Sequence, residues 1–405
     1  MLKNDPWLRA ILLARIMLYA NFMVYAASIP VLIPAWDMSA AEAGSIVSGF
    51  MLAYAGSLFV SSRLADRYGA RRIFMLATIS SASTALVFGL FARDYWSALL
   101  LYSLAASTQG GLYTPAIMML SDRYESARRG SAIGYLIAST SLGYAFSLLL
   151  AGLSLAWGSY ETAFVIAGCV PSIGVLVALT ALRHTENVVH PRTVTASLIK
   201  LIRGSRNVKY LTAGYVAHSW ELLGMWAWTP AFLVSAAALA GGGQADAALG
   251  PYLAALMHAV GALASMTMGR LSDRLGRRSV LIVVAAAGTG MSFIFGWLIT
   301  FPVTLLVLLG VVYYYLAIGD SAVLSTAISE AAPSGHLGDV LALRALLGFG
   351  AGAISPVAFG WLLDMFQAPG NETVRWGVAF SMLGLGGLLA TWYGWRYREI
   401  GQSKG

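Results

Sequence analysis

Twelve continuous apolar runs follow one another along this chain, and the charged residues gather in the short segments between them. A run of about 20 apolar residues is long enough to cross a bilayer as a helix. In hydrocarbon every backbone N–H and C=O must be satisfied inside the protein, so only helices or a closed barrel can span it. The runs do not alternate with period two, which argues against a barrel. Composition agrees: hydrophobic residues make up 58% of the 405 residues and charged residues 11%, against roughly 25% charged in a soluble domain. The fold class read from this is an all-α polytopic membrane protein.

The spans are placed at about 11–33, 43–60, 73–91, 95–120, a fifth ending near Trp157, 162–182, 210–234, 251–268, 280–299, 303–328, an eleventh from about 337, and 374–395. Between the sixth and seventh lies the longest stretch that cannot be a span. It contains a short amphipathic piece, 197–203, read as an interfacial helix. The predicted organisation is a six-helix bundle over 1–182, a cytoplasmic linker over 183–207 and a second six-helix bundle over 208–405. Assigning loops alternately to two sides puts every Lys and Arg except Arg93 and Arg375 on one face. By the positive-inside rule that face is the cytoplasm, with both termini there, and the basic balance reports topology rather than a nucleic-acid partner. The single cysteine, Cys169, permits no intrachain disulfide. The N-terminal segment has no small-residue cleavage pattern and reads as a retained first span.

One short stretch occurs twice. The first copy runs Ser62-Arg-Leu-Ala-Asp66-Arg67-Tyr-Gly69-Ala70-Arg71-Arg72, and the second Gly269-Arg270-Leu-Ser-Asp273-Arg274-Leu-Gly276-Arg277-Arg278. The two aspartates lie half a chain apart, the mark of a duplicated fold with a pseudo-symmetric seam, where a binding site belongs.

Twelve spans in two halves, with Gly-x-Leu-x-Asp-Arg-x-Gly-Arg-Arg between spans 8 and 9, resemble the major facilitator superfamily. The first copy departs from the pattern at Ser62 and Ala70. The resemblance implies a monomeric secondary transporter in the inner membrane, two six-helix bundles that rock about a central site, no enzyme activity and no cofactor or metal. It also implies that Asp66, Arg67, Gly69 and Arg71, with Gly269, Asp273, Arg274, Gly276 and Arg277, form gating loops. Asp66 would cap the start of span 11 and Asp273 the start of span 5. Markers of drug:proton antiporters are missing: Ala106 replaces the span 4 arginine, and Ser141-Leu-Gly143-Tyr144 replaces the Gly-Pro motif of span 5.

In that architecture spans 1, 4, 7 and 10 line the cavity, and the polar residues of this chain concentrate in those runs. Candidates for substrate binding or coupling are Asn21 and Tyr25 (span 1), Gln109 and Tyr113 (span 4), His218, Trp220 and Glu221 (span 7), and Tyr314 and Asp320 (span 10). Ionisable groups at mid-bilayer cost at least a few kcal/mol unless paired or wetted, so they are functional candidates. His218 and Glu221, three apart, share a helical face with Tyr215. A carboxylate beside an imidazole is the chemistry proton coupling needs. His258 reads as a packing residue, and Arg344 as a charge at the cytoplasmic mouth that snorkels, pairs with Asp339 or Glu330, or meets an anion, the first two favoured. With no arginine expected at mid-depth, the substrate is predicted to be a neutral, zwitterionic or cationic small organic solute moved with protons. The alternatives are an organic-anion/proton symporter and a ligand-binding membrane sensor without flux.

Overall fold

The computed structural model describes residues 5–189, 204–243, 245–333 and 337–398, so the 197–203 piece of the linker lies outside the described residues. The helices are α1 (Pro6–Leu18), α2 (Val24–Ala35), α3 (Ala40–Tyr68), α4 (Ala70–Phe91), α5 (Tyr95–Gln109), α6 (Thr114–Arg123), α7 (Ser126–Trp157) and α8 (Tyr160–Leu182). In the second half they are α9 (Arg206–Ala240), α10 (Leu249–Leu275), α11 (Arg277–Phe295), α12 (Val303–Ala331), α13 (Leu337–Gly352), α14 (Ile354–Met365) and α15 (Glu372–Arg396). Ten crossings are long and apolar enough to span a membrane, with α13 and α14 together counting as one. The other two are broken pairs, α1 with α2, and α5 with α6 through a 3₁₀ turn at Gly110–Leu112. That completes twelve.

Local chemistry explains where the helices begin and end. Asp5 caps α1 by accepting from the N–H of Trp7 at 2.9 Å. Ser39 and Glu42 form a reciprocal capping box at α3. The two copies of the duplicated loop make the same turn: Gly69 has φ 92° and ψ 140°, Gly276 φ 88° and ψ 141°. A residue with a Cβ is strained there, which is why both copies carry glycine. Two residues further on, equivalent arginines tie each loop to the last helix of its own half. Arg71 Nε donates to Leu182 O at 3.0 Å, and Arg278 Nη2 to Trp395 O at 2.9 Å. The first loop is also clamped by Asn187, whose amide donates to Tyr68 O and accepts from the N–H of Arg72.

Span 1 breaks at 19–23, while Pro30 and Pro34 sit inside a continuous α2. The reason is that side chains from neighbouring spans replace the missing helical bonds. Gln109 Nε2 donates to Leu18 O at 3.0 Å, Tyr102 Oη to Phe22 O at 2.6 Å, and Ser147 Oγ to Ala20 O at 2.5 Å. Ser147 Oγ also accepts from the N–H of Met23 at 3.0 Å. Span 4, broken at the same depth, is tied back by Arg15, which donates to Leu112 O at 2.5 Å. A helix can open inside hydrocarbon only on such terms.

The halves meet through α3 with α13 and α14, and through α7 with α10. Near the arginine-poor end, Gly44 lies against the backbone at Pro356 and Gly360 against that of Ala40, so the helices cross where a side chain would collide. Asp364 seals this crossing: its carboxylate accepts from the N–H groups of Ala40 at 2.9 Å and Ala41 at 2.8 Å, the exposed donors of the α3 N-terminus. Replacing Asp364 with Ala is expected to weaken the closure by about 1–2 kcal/mol, a change of about tenfold in the closed population. Spin labels at positions 37 and 367, in a chain with Cys169 replaced, should then report a longer distance; an unchanged distance would contradict this role.

Candidate functional site

The polar residues of the second half form a ladder between α9, α12 and α13. His218 and Asp320 meet with Nδ1 and Oδ1 2.9 Å apart, both nearly inaccessible. The other ring nitrogen of His218 lies 2.6 Å from the Ser321 hydroxyl. One turn along α12, Ser325 Oγ donates to Ser321 O at 2.6 Å and accepts from Arg344 Nη1 at 2.7 Å. The Arg344 guanidinium stacks on the Tyr215 ring, 4.1 Å from its centroid, and Tyr215 touches His218 with ring centroids 5.8 Å apart. Arg344 is therefore connected to the His218–Asp320 pair by two routes, one through the Ser325 hydroxyl and residue Ser321, and one through the Tyr215 ring.

Arg344 is only 8% exposed and its Nε has no partner. Among the described residues no carboxylate pairs with it, so it neither snorkels nor bonds to Asp339 or Glu330 as the sequence suggested. Glu330 is instead held by Arg277 at 3.0 Å. Across the seam, Arg15 is fully buried, donating to Leu112 O and, at 2.7 Å, to Thr140 Oγ1, with its Nε also unpartnered. Its guanidinium lies over the rings of Tyr19 and Tyr113, at 5.4 and 5.7 Å. The half-buried Tyr113 lies within electrostatic reach of both arginines. The expectation of a site without arginine is thus corrected: two buried guanidiniums without acid partners approach it from opposite halves. Arg15 was legible as a charge inside an apolar run, but its depth depends on the break in span 1.

His218 and Glu221, placed together by spacing, point to different partners. Glu221 accepts from Ser292 Oγ of α11 at 2.5 Å, and Ser292 continues to Tyr313 Oη at 2.6 Å. The carboxylate lies beside Gly387 and Gly288, inside the second bundle. Trp220 also turns away from the centre. It donates to Met382 O at 3.2 Å and lines a cleft of about 560 Å³ between α9, α13 and α15, with Lys209 at one end. Gln109 holds span 1 with its amide nitrogen and leaves Oε1 free of partners. The side-chain amide of Asn21 and the hydroxyls of Tyr25 and Tyr314 are buried and have no hydrogen-bond partner among the described residues.

In the duplicated loops, Asp66 and Arg67 occupy the last turn of α3, and Asp273 and Arg274 that of α10. Asp273 does not cap α7 here: it pairs with Arg277 of its own loop at 2.5 Å. Arg277 stands where the first loop has Ala70, so the second loop alone carries the Asp273–Arg277–Glu330 chain.

Removing the acid of the His218 pair leaves a buried imidazole without its counter-charge. Asp320→Ala is therefore expected to cost about 3–5 kcal/mol, seen as a lower Tm of the detergent-purified protein. An unchanged Tm would mean that the pair is solvated.

Residues 11–356 match the family model described as Major Facilitator Superfamily. The chain is 28% identical over 359 residues (84% of this chain, 80% of the other) to a protein of Cupriavidus pinatubonensis named "Probable 4-methylmuconolactone transporter". It is 23% identical over 381 residues (89% and 88%) to the "Hexuronate transporter" of Bacillus subtilis. Among solved structures, a D-xylose-proton symporter superposes with a TM-score of 0.80 at 13% identity, covering 98% of this chain and 99% of that one. The duplicated loops, the two bundles of six crossings and the match over most of the chain agree: this protein is a membrane transporter of the major facilitator superfamily.

Proposed function

We propose that the protein is a proton-coupled symporter of a small organic anion, working by alternating access between bundles divided in the segment 183–207. The observation that carries this reading is the pair of buried guanidiniums, Arg15 and Arg344, that converge from the two halves without a carboxylate partner. A buried charge with no counter-charge is costly, and a bound anion is the partner that removes the cost. Arg344 makes the main contact through its free edge. Arg15, already committed to the span 4 carbonyl, adds positive field, with Tyr113 between them. The relatives' printed names support the sign: a hexuronate is a carboxylate, and a muconolactone carries a carboxylate beside its lactone. The lean towards a neutral or cationic solute gives way to the anion reading on these grounds.

Coupling falls to His218 and Asp320. Protonation of this pair changes the charge one ring and two hydroxyls away from Arg344, so anion and proton assist each other's binding. Glu221, hydrogen-bonded inside the bundle, is a second proton carrier linked to Ser292 and, through it, to Tyr313. The arginine asymmetry of the loops supports an inner-membrane protein with both termini cytoplasmic. The closed seam at Asp364 lies at the opposite end, so this conformation is the inward-facing one. The duplicated loops then act as the cytoplasmic gate. The Asp273–Arg277 pair inside one half is its released form, to be exchanged for a cap across the seam on closing.

In proteoliposomes, Arg344→Gln should lower uptake of a carboxylate substrate at least tenfold, with Arg344→Lys recovering part of it. Asp320→Asn should keep counterflow and lose accumulation driven by a pH gradient. Full accumulation by Asp320→Asn would remove the coupling assignment, and unchanged uptake by Arg344→Gln would remove the anion site.

A further inference from the structure

His258 and Trp226 carry polar atoms that the fold leaves without partners. His258 of α10 is fully buried, and neither ring nitrogen has a hydrogen-bond partner among the described residues; the same holds for Trp226 Nε1 of α9. The two rings face each other with centroids 5.3 Å apart. Tyr314 of α12 stands 5.0 Å from His258, and Tyr144 of α7, from the other half, 6.0 Å from His258 and 5.3 Å from Trp226. Four aromatic rings, those of His258 and Trp226 among them, thus pack around two N–H groups and one acceptor nitrogen left without partners, since a neutral imidazole has one of each, and the Tyr314 hydroxyl beside them also lacks one among the described residues. A phenylalanine would fill such an enclosure without the desolvation cost that an unmet imidazole and indole carry. A histidine here is a poor packing residue and a good hydrogen-bonding one.

We infer that this enclosure is a second substrate subsite, one that holds a neutral oxygen of the transported anion: a hydroxyl, ketone or lactone carbonyl. The inference rests on the anion reading above, with the carboxylate kept at Arg344 and Arg15. Two packed rings connect the subsites on the Arg15 side. Arg15 lies over Tyr19, Tyr19 packs on Tyr144 with centroids 5.6 Å apart, and Tyr144 packs on His258. The chemistry sorts the two ends of the solute. A carboxylate gains more beside guanidiniums, whereas the two N–H donors match a neutral oxygen that accepts, and the imidazole's acceptor nitrogen is met as well where that oxygen is a hydroxyl. The flat aromatic faces of Tyr144, Trp226 and Tyr314 pack on the carbons between. The substrate class is therefore an oxygenated carboxylate, discriminated from plain alkanoates because the unpaired nitrogens stay unpaired when a plain chain enters.

The test uses the purified full-length protein and thermal stabilisation by three matched pairs of probes: galacturonate with cyclohexanecarboxylate, 4-hydroxybenzoate with benzoate, and levulinate with pentanoate. At least one oxygenated member should bind about tenfold or more tightly than its plain counterpart. His258→Phe should erase that preference while leaving the plain carboxylate's affinity within about twofold, and His258→Gln should restore part of it. A preference that survives His258→Phe, or equal affinity within every pair, overturns the subsite and leaves the anion site standing; the enclosure then holds water only. Loss of both members of a pair in Arg344→Gln is expected in every case. Failure of all six carboxylates to stabilise the unaltered protein overturns the anion reading and the subsite with it.

Discussion

Everything at the centre of this transporter depends on side chains standing in for backbone where span 1 opens. The carbonyls of Leu18, Ala20 and Phe22 lose their helical donors at mid-membrane, where no water replaces them. Gln109, Ser147 and Tyr102, from spans 4 and 5, supply the missing bonds. The exchange fixes spans 1, 4 and 5 to one another, and it turns Arg15 inward onto the broken end of span 4.

The second half solves a different problem with a different arrangement. Its spans 7 and 10 run unbroken, as α9 and α12, so the backbone is satisfied and the side chains are free to pair with one another. Charge is then held through side chains: Asp320 meets His218, His218 meets Ser321 and Tyr215, and Arg344 meets the Tyr215 ring and the Ser325 hydroxyl, which donates to Ser321 O. One half holds a cation by its own backbone and the other holds one through titratable neighbours.

The pseudo-symmetry is strictest where the backbone demands it. Gly69 and Gly276 agree within a few degrees, and Arg71 and Arg278 make equivalent tethers. It lapses at Ala70 and Arg277, where a side chain alone is concerned, and there the second loop gains the Asp273–Arg277–Glu330 chain. At the opposite end, glycines at 44 and 360 and the carboxylate of Asp364 bring α3 and α14 together closely enough to seal the seam.

Much of this was legible in the sequence, because the bilayer restricts what an apolar run can become. Twelve crossings, the half-chain duplication, the turn glycines and the family all follow from hydrophobic length and from residues at fixed spacing. The pairing of His218 with Asp320 was within reach, since both lie on spans that the duplication places at the centre. The partner of Glu221, the outward turn of Trp220 and the burial of Arg344 were not. Helical spacing fixes which residues share a face, but the roll of each helix against its neighbours decides what that face meets. Roll is set by packing between residues far apart in the chain, as when Gly387 makes room for Glu221. The sequence by itself determined that charges would be buried in this membrane protein; the tertiary structure decided which of them would be left with an unpaired edge.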